Sequence, residues 1–221
     1  MKLKKCRSWI FWILGITVCA LGVALTSKAS FGTGVIQGPS YAIFIKLSES
    51  IGWVTFGMCS YAMEGVFLIL MCIIIKKFRL KFILSFLTAF LFGLALDMWR
   101  LVIGTGLAEN IIVRIAEMAV GIVCVSFAVA CYFRTDLPLE VWELFVKEIA
   151  DRFGWNPSKF KWAFDISMLV LGIIICLMLF GKIRLDIIGI GTIAAAAVSG
   201  PIIGLFGKLI DRMFPAKDNT K

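Results

Sequence analysis

"SKASFGTGVIQGPSYAIF", residues 27–44, decides how the chain is read. One long apolar run precedes it and another follows. Within it stand Gly32, Gly34, Gly38 and Pro39, with Lys28 as its one charge. A surface loop would be more polar, and a membrane helix would not be broken this often. The stretch is expected to turn the chain at the end of a membrane span, as a partly re-entrant element or as an elbow. Gly32 and Gly34 would let a ligand approach the backbone. A helix starting after Gly38-Pro39 would present free N–H groups and a partial positive charge.

Composition sets the solvent. Of 221 residues, 61% are hydrophobic, against roughly 45–50% in a soluble domain. An integral membrane protein follows, with the lipid bilayer as its first partner. The net charge is +9, which reads as basic fringes at the cytoplasmic ends of spans. Nucleic acid is not expected as a partner. The seven cysteines, Cys6, Cys19, Cys59, Cys72, Cys124, Cys131 and Cys176, include no CxxC pair and read as small buried hydrophobes. Histidine is absent from the sequence, which removes the commonest metal ligand and near-neutral proton shuttle. No metal or cofactor is expected. With no HExxH, GxSxG or phosphate loop, neither is an enzyme.

Six segments are apolar and long enough to cross a bilayer, 9–27, 53–75, 82–103, 111–132, 162–181 and 186–207. Five is the rival count, because only "GKIRLD" separates the last two. The run from Trp9 is long for a signal peptide, and no clean cleavage site follows it, so an uncleaved first span is expected. With the N-terminus cytoplasmic, 17 Lys and Arg fall on the inner segments and 6 on the outer ones. The expectation is an all-α protein of the cell (inner or plasma) membrane with both termini cytoplasmic.

The two halves resemble each other. "ESIGWVTFGMCSYAMEG" (49–65) echoes "DRFGWNPSKFKWAFDIS" (151–167), aligning Gly52-Trp53 with Gly154-Trp155 and Glu64 with Asp165. Gln37 falls opposite Glu140. Three spans per half would make residues 1–108 and 109–221 inverted repeats, an arrangement common in carriers, with a site near the midplane. Residues 136–152 place Leu137, Val141, Leu144, Phe145 and Ile149 on one stripe and charges on the other. That pattern predicts an amphipathic helix on the cytoplasmic surface, where a protein partner could bind.

Ionisable groups within spans are costly, about 2.5–3.5 kcal/mol each on insertion scales, so each needs a role. Glu64 is the only charge in its span, and reads as a protonatable or cation-coordinating site, or as an interior acid that fixes packing. Asp165 would pair with Lys161 one turn earlier. Asp97 with Arg100, and Arg114 with Glu117, have i,i+3 spacing and are expected to pair. Lys28 is expected to snorkel. Ala20 with Ala24, and Gly200 with Gly204, are expected helix contacts. The candidate ligand site is Glu64, Asp165, Gly32, Gly34, Gln37 and Glu140, with Asp97 and Arg100 secondary.

"LGVALTSKASFGTG" (21–34), the Gly-Trp spacers and "GIGTIAAAAVSGPIIGLF" (189–206) resemble the YczE/YyaS/YitT-like family of bacterial multi-pass membrane proteins. The family's Gly-x-Gly-Pro-Trp-Asp turn reads Gly32-Thr33-Gly34-Val35-Ile36-Gln37 here, without the proline and the acid. Its second turn, Gly-Pro-Arg-Asp, reads Leu137-Pro138-Leu139-Glu140, which keeps a proline and an acid. The resemblance implies a small inner-membrane protein and supplies no substrate. The leading expectation is a carrier or exporter of a small solute. The alternatives are an accessory or regulatory membrane protein and a substrate-binding subunit of a larger importer.

Overall fold

The computed structural model describes residues 2–135 and 137–213. They form eight helices: α1 (Lys2–Ala29), α2 (Gly38–Ser48), α3 (Phe56–Ile75), α4 (Leu80–Ile103), α5 (Ile111–Tyr132), α6 (Val141–Phe153), α7 (Pro157–Phe180) and α8 (Ile190–Met213). Six of them carry apolar stretches long enough to span a bilayer. The expected count of six is found, with α7 and α8 as separate helices. Exposed Ile69, Ile73, Leu94, Met178 and Ile193 line the outer faces, the inside-out pattern of a chain solvated by lipid. This is a multi-pass membrane protein.

Local signals set the boundaries. The Thr55 side chain accepts from the Met58 N–H at the start of α3, and Asn110 from the Ile112 N–H at the start of α5. Both are ordinary N-caps. Gly154 ends α6 at φ +67°, a left-handed position that favours glycine.

α2 and α6 are too short to span. Eleven and 13 residues at a rise of about 1.5 Å each fall well short of the ~30 Å hydrocarbon core. Each follows a stretch of non-helical backbone, and that backbone is tied to distant parts of the chain. The Thr33 N–H donates to Ile187 O at 2.9 Å and the Gly191 N–H to Phe31 O at 2.8 Å. The Thr192 hydroxyl donates to Thr33 O at 2.7 Å. On the other side, Pro138 O accepts from Trp12 Nε1 at 3.1 Å and Thr88 Oγ1 at 3.3 Å. Thr135 Oγ1 donates to Ser8 O at 3.1 Å.

α1 and α5 make the most extensive helix pair, and they cross at Gly22 and Gly121. A Cβ on Gly22 would stand 2.7 Å from Gly121 O, and one on Gly121 2.8 Å from Gly22 O. α4 packs on α1 and α3, α8 on α5, α2 on α7 and α3, and α6 on α3, α7 and α4.

Two expectations are corrected. The 136–152 region is not a surface helix. Eight of the 13 residues of α6 are buried, including Trp142, Phe145 and Glu148. Its apolar stripe packs on Met71, Ile75, Phe164 and Met168, and Glu148 pairs with Arg79 at 3.5 Å and with Lys81. The polar face is thus divided, with Glu140, Glu143 and Glu148 turned toward protein and Lys147, Asp151 and Arg152 left exposed. Ala20 and Ala24 are buried in the core as expected. Gly200 and Gly204 are not contacts, because nothing lies within 4 Å of a Cβ built on either. α8 meets α5 through its other face.

Gly121→Ala should destabilise the detergent-purified protein by about 1–3 kcal/mol, the cost of overpacking. Gly200→Ala, in open space, should stabilise it by about 0.4–1 kcal/mol. Thermal unfolding followed by tryptophan fluorescence reads both. Equal shifts would place the α1–α5 crossing elsewhere.

Candidate functional site

α3 carries the centre of the site. Ser60 and Glu64 lie one turn apart on it, both with no exposure to solvent. The N-termini of the two short helices arrive at these residues. Gln37 is the N-cap residue of α2, and its Oε1 accepts from Ser60 Oγ at 2.9 Å and Ser40 Oγ at 3.2 Å. Glu140 is the N-cap residue of α6. The next backbone N–H, that of Val141, faces the Glu64 carboxyl, yet neither Glu64 oxygen is held in a hydrogen bond. A helix N-terminus favours negative charge before it, so α6 offers Glu64 partial compensation but leaves its lone pairs unused.

More acid lies beside it. The Glu140 and Glu143 carboxyls both act electrostatically on Glu64. Glu140 is buried with Oε1 unpartnered, and Glu143 Oε2 is likewise unpartnered. Burial holds the Glu140 carboxyl well above the usual carboxylate range, and Glu143 pushes it further, against the Lys161 ammonium. Burial also raises Glu143, with Lys161 opposing and Asp165 assisting. The Tyr132 hydroxyl and Trp142 Nε1 are also buried and unpartnered. Neighbouring carboxyls taken out of water cannot all ionise.

The other candidates fall in different places. Asp165 pairs with Lys161 at 3.0 Å, about one third exposed, at the edge of the cluster next to Glu143. The space a Cβ would need at Gly32, φ +104°, is filled by Thr192 and Gly189, so it is protein that approaches this glycine closely. Gly34 faces open space. Asp97 and Arg100 do not pair. Asp97 accepts from Thr55 Oγ1 at 2.6 Å and the Gly57 N–H at 2.8 Å, holding the start of α3. Arg100 lies over the Phe44 and Phe56 rings, 4.9 and 5.4 Å from their centroids. Arg114 donates to Ala29 O and Ser30 O, while Glu117 pairs with Lys28 at 3.0 Å. In each case a partner far along the chain displaces the local one.

Glu143, Tyr132 and Trp142 were not anticipated. The i,i+3 spacing of Glu140 and Glu143 was the available signal, but the polar stripe of α6 hid it. Beside the cluster runs an aromatic groove of about 410 Å³ between α3, α6 and α7, lined in part by Phe67, Phe145, Phe160 and Phe164.

A family model described as a family of unknown function (DUF6198) matches residues 6–208, and the chain belongs to that family. It is similar to the uncharacterized protein YyaS of Bacillus subtilis (strain 168), with 25% identity over 214 residues, 95% of this chain and 97% of that protein. The resemblance to a YyaS-like family is upheld. No solved structure matches the chain.

The raised carboxyls have a pH consequence. A carboxyl held above its ordinary value favours the folded state in its protonated form. That stability is fully present below the unfolded value near 4.5 and is lost as pH rises through the raised folded values of Glu140 and Glu143. Melting temperature should therefore fall from acid toward neutral pH. The Glu140→Gln/Glu143→Gln double variant should flatten that slope, and an unchanged slope would assign it to other groups.

Proposed function

We propose that this protein carries a small solute across the cell membrane, through the site where α2 and α6 meet α3. The observation that carries the reading is Glu64, fully buried and unpartnered at the N-termini of two half-length helices. A membrane protein keeps an unsatisfied acid and broken helices at depth where they serve a pathway.

The packing supports two opposed repeats, 1–108 and 109–221. α1 faces α5 across the Gly22–Gly121 crossing. α4 rests on α1 as α8 rests on α5, and α2 rests on α7 as α6 rests on α3. Gln37 and Glu140, matched in the sequence alignment, occupy the same N-cap position of α2 and α6. The excess of Lys and Arg on one set of segments supports cytoplasmic termini. Chemical conversion of the solute is no part of this reading.

A second reading, an accessory or regulatory membrane protein, draws on α8, which leaves a face with Gly200 and Gly204 open. Docking through Ala20 and Ala24, as a subunit of an importer, loses ground because both are buried within this chain.

Carriage predicts access to the site from both faces. Gly34→Cys suits the test, since nothing lies within 4 Å of its Cβ position. With all seven native cysteines replaced, a membrane-impermeant maleimide should label it in vesicles of either orientation. Labelling from one face only, or from neither, would contradict carriage.

A further inference from the structure

Glu64 and Glu140 are buried, Glu143 is half-buried one turn further along α6, and the charges around them do not balance. Lys161 is the cation that acts on Glu140 and Glu143, and it already pairs with Asp165. Other elements packed around Glu64 bring no positive charge to it. α1 and α5 contribute Cys19 and Tyr132, which sense the same three acids. α2 contributes the uncharged Gln37. On α4, Lys81 is held by Glu148, Asp97 by Thr55 and Gly57, and Arg100 by the aromatic rings. The Tyr132 hydroxyl and Trp142 Nε1, both nearly without exposure and both unpartnered, stand in this acid region with hydrogen-bonding capacity to spare.

The aromatic groove lies one helical turn from Glu64, on the far side of Phe67, and none of the three acids lines it. Phe67 follows Glu64 by one turn of α3, and its ring centroid lies 5.1 Å from Trp142, 5.5 Å from Phe145 and 5.9 Å from Phe164. Its volume of about 410 Å³ suits a small organic molecule. Aromatic faces attract cations, and an anionic lipid headgroup would be repelled by the acids. Among the described residues no three His, Cys, Asp or Glu side chains are grouped to hold a metal ion.

We propose that the acids Glu64, Glu140 and Glu143 and the adjoining aromatic groove bind an amphipathic organic monocation, such as an alkylated or aryl ammonium, in exchange for a proton. The ammonium group sits against the carboxylates and the apolar body lies among Phe67, Phe145 and Phe164. A carboxyl O–H bond breaks, the proton leaves to water, and the carboxylate pairs with the incoming cation, so charge in the site is conserved. The inference rests on the carrier reading only for the choice of site. Binding with labelling confined to one face would keep the inference and remove carriage. Labelling from both faces without binding would do the reverse.

The test uses the full chain in detergent and benzyltrimethylammonium, a permanent cation with no proton of its own. Calorimetry in buffers of different ionisation enthalpy reads affinity and proton release together. Proton release should accompany binding, and affinity should rise by up to about tenfold per pH unit through the cluster's titration. The Glu64→Gln/Glu140→Gln/Glu143→Gln triple variant should abolish the release. Phe67→Ala/Phe164→Ala should weaken binding about tenfold while keeping the release, a split that loss of folding would not produce. Binding without proton release, equal competition by potassium, displacement by a zwitterionic lysolipid but not by ammonium compounds, or no binding to protein with an unaltered melting temperature would each overturn it.

Discussion

Backbone that is not helical cannot face lipid, because nothing there satisfies its N–H and C=O groups. This chain leaves its helices at two such places, before α2 and before α6. The rest of the arrangement answers that constraint. Residues 31–33 are bonded to 187–192, and Thr135 and Pro138 to Ser8, Trp12 and Thr88. Each break is thus closed by a distant segment of the chain. The glycine crossing of α1 with α5 brings those segments close enough to do so. Once both breaks are closed, both short helices must begin deep in the protein, and both point their N-termini at α3.

The electrostatics follow from that placement. A helix N-terminus carries about half a positive charge, enough to favour an acid in front of it but too little to neutralise three. Lys161 compensates in part and is itself drawn to Asp165. Elsewhere Lys28 pairs with Glu117, Arg134, just past α5, with Asp211, and Arg100 lies over its aromatic box. Glu64 differs from them in leaving both of its carboxyl oxygens without a hydrogen bond. Burying a polar group without a partner costs roughly 1–3 kcal/mol by mutational measures.

Much of the fold was legible because lipid solvation writes a strong signal. The six spans stand out by hydropathy, the break at 27–44 by its glycines and Pro39, and Glu64 by its isolation in an apolar helix. The pairing of Lys161 with Asp165 was legible because its spacing is local. What escaped depends on tertiary neighbours. The stripe on α6 has the periodicity of a surface helix, and the arrival of α3 and α7 buries it while Arg79 and Lys81 cover Glu148. Asp97 and Arg100 have the spacing of a pair, but the start of α3 claims one and the Phe44–Phe56 cluster the other. Gly32 looked like room for a ligand and is room for Thr192 and Gly189.

The most direct measurement is chemical modification of Glu64 in membranes. A hydrophobic carbodiimide attacks carboxyl groups held in apolar surroundings, and mass spectrometry locates the adduct. An adduct is expected on Glu64 that an excess of benzyltrimethylammonium suppresses, while Glu49, exposed and paired with Lys46, stays unmodified. A Glu64 that never reacts, or that reacts equally with the cation present, would show that the meeting point of α2, α3 and α6 is sealed packing and not a binding site.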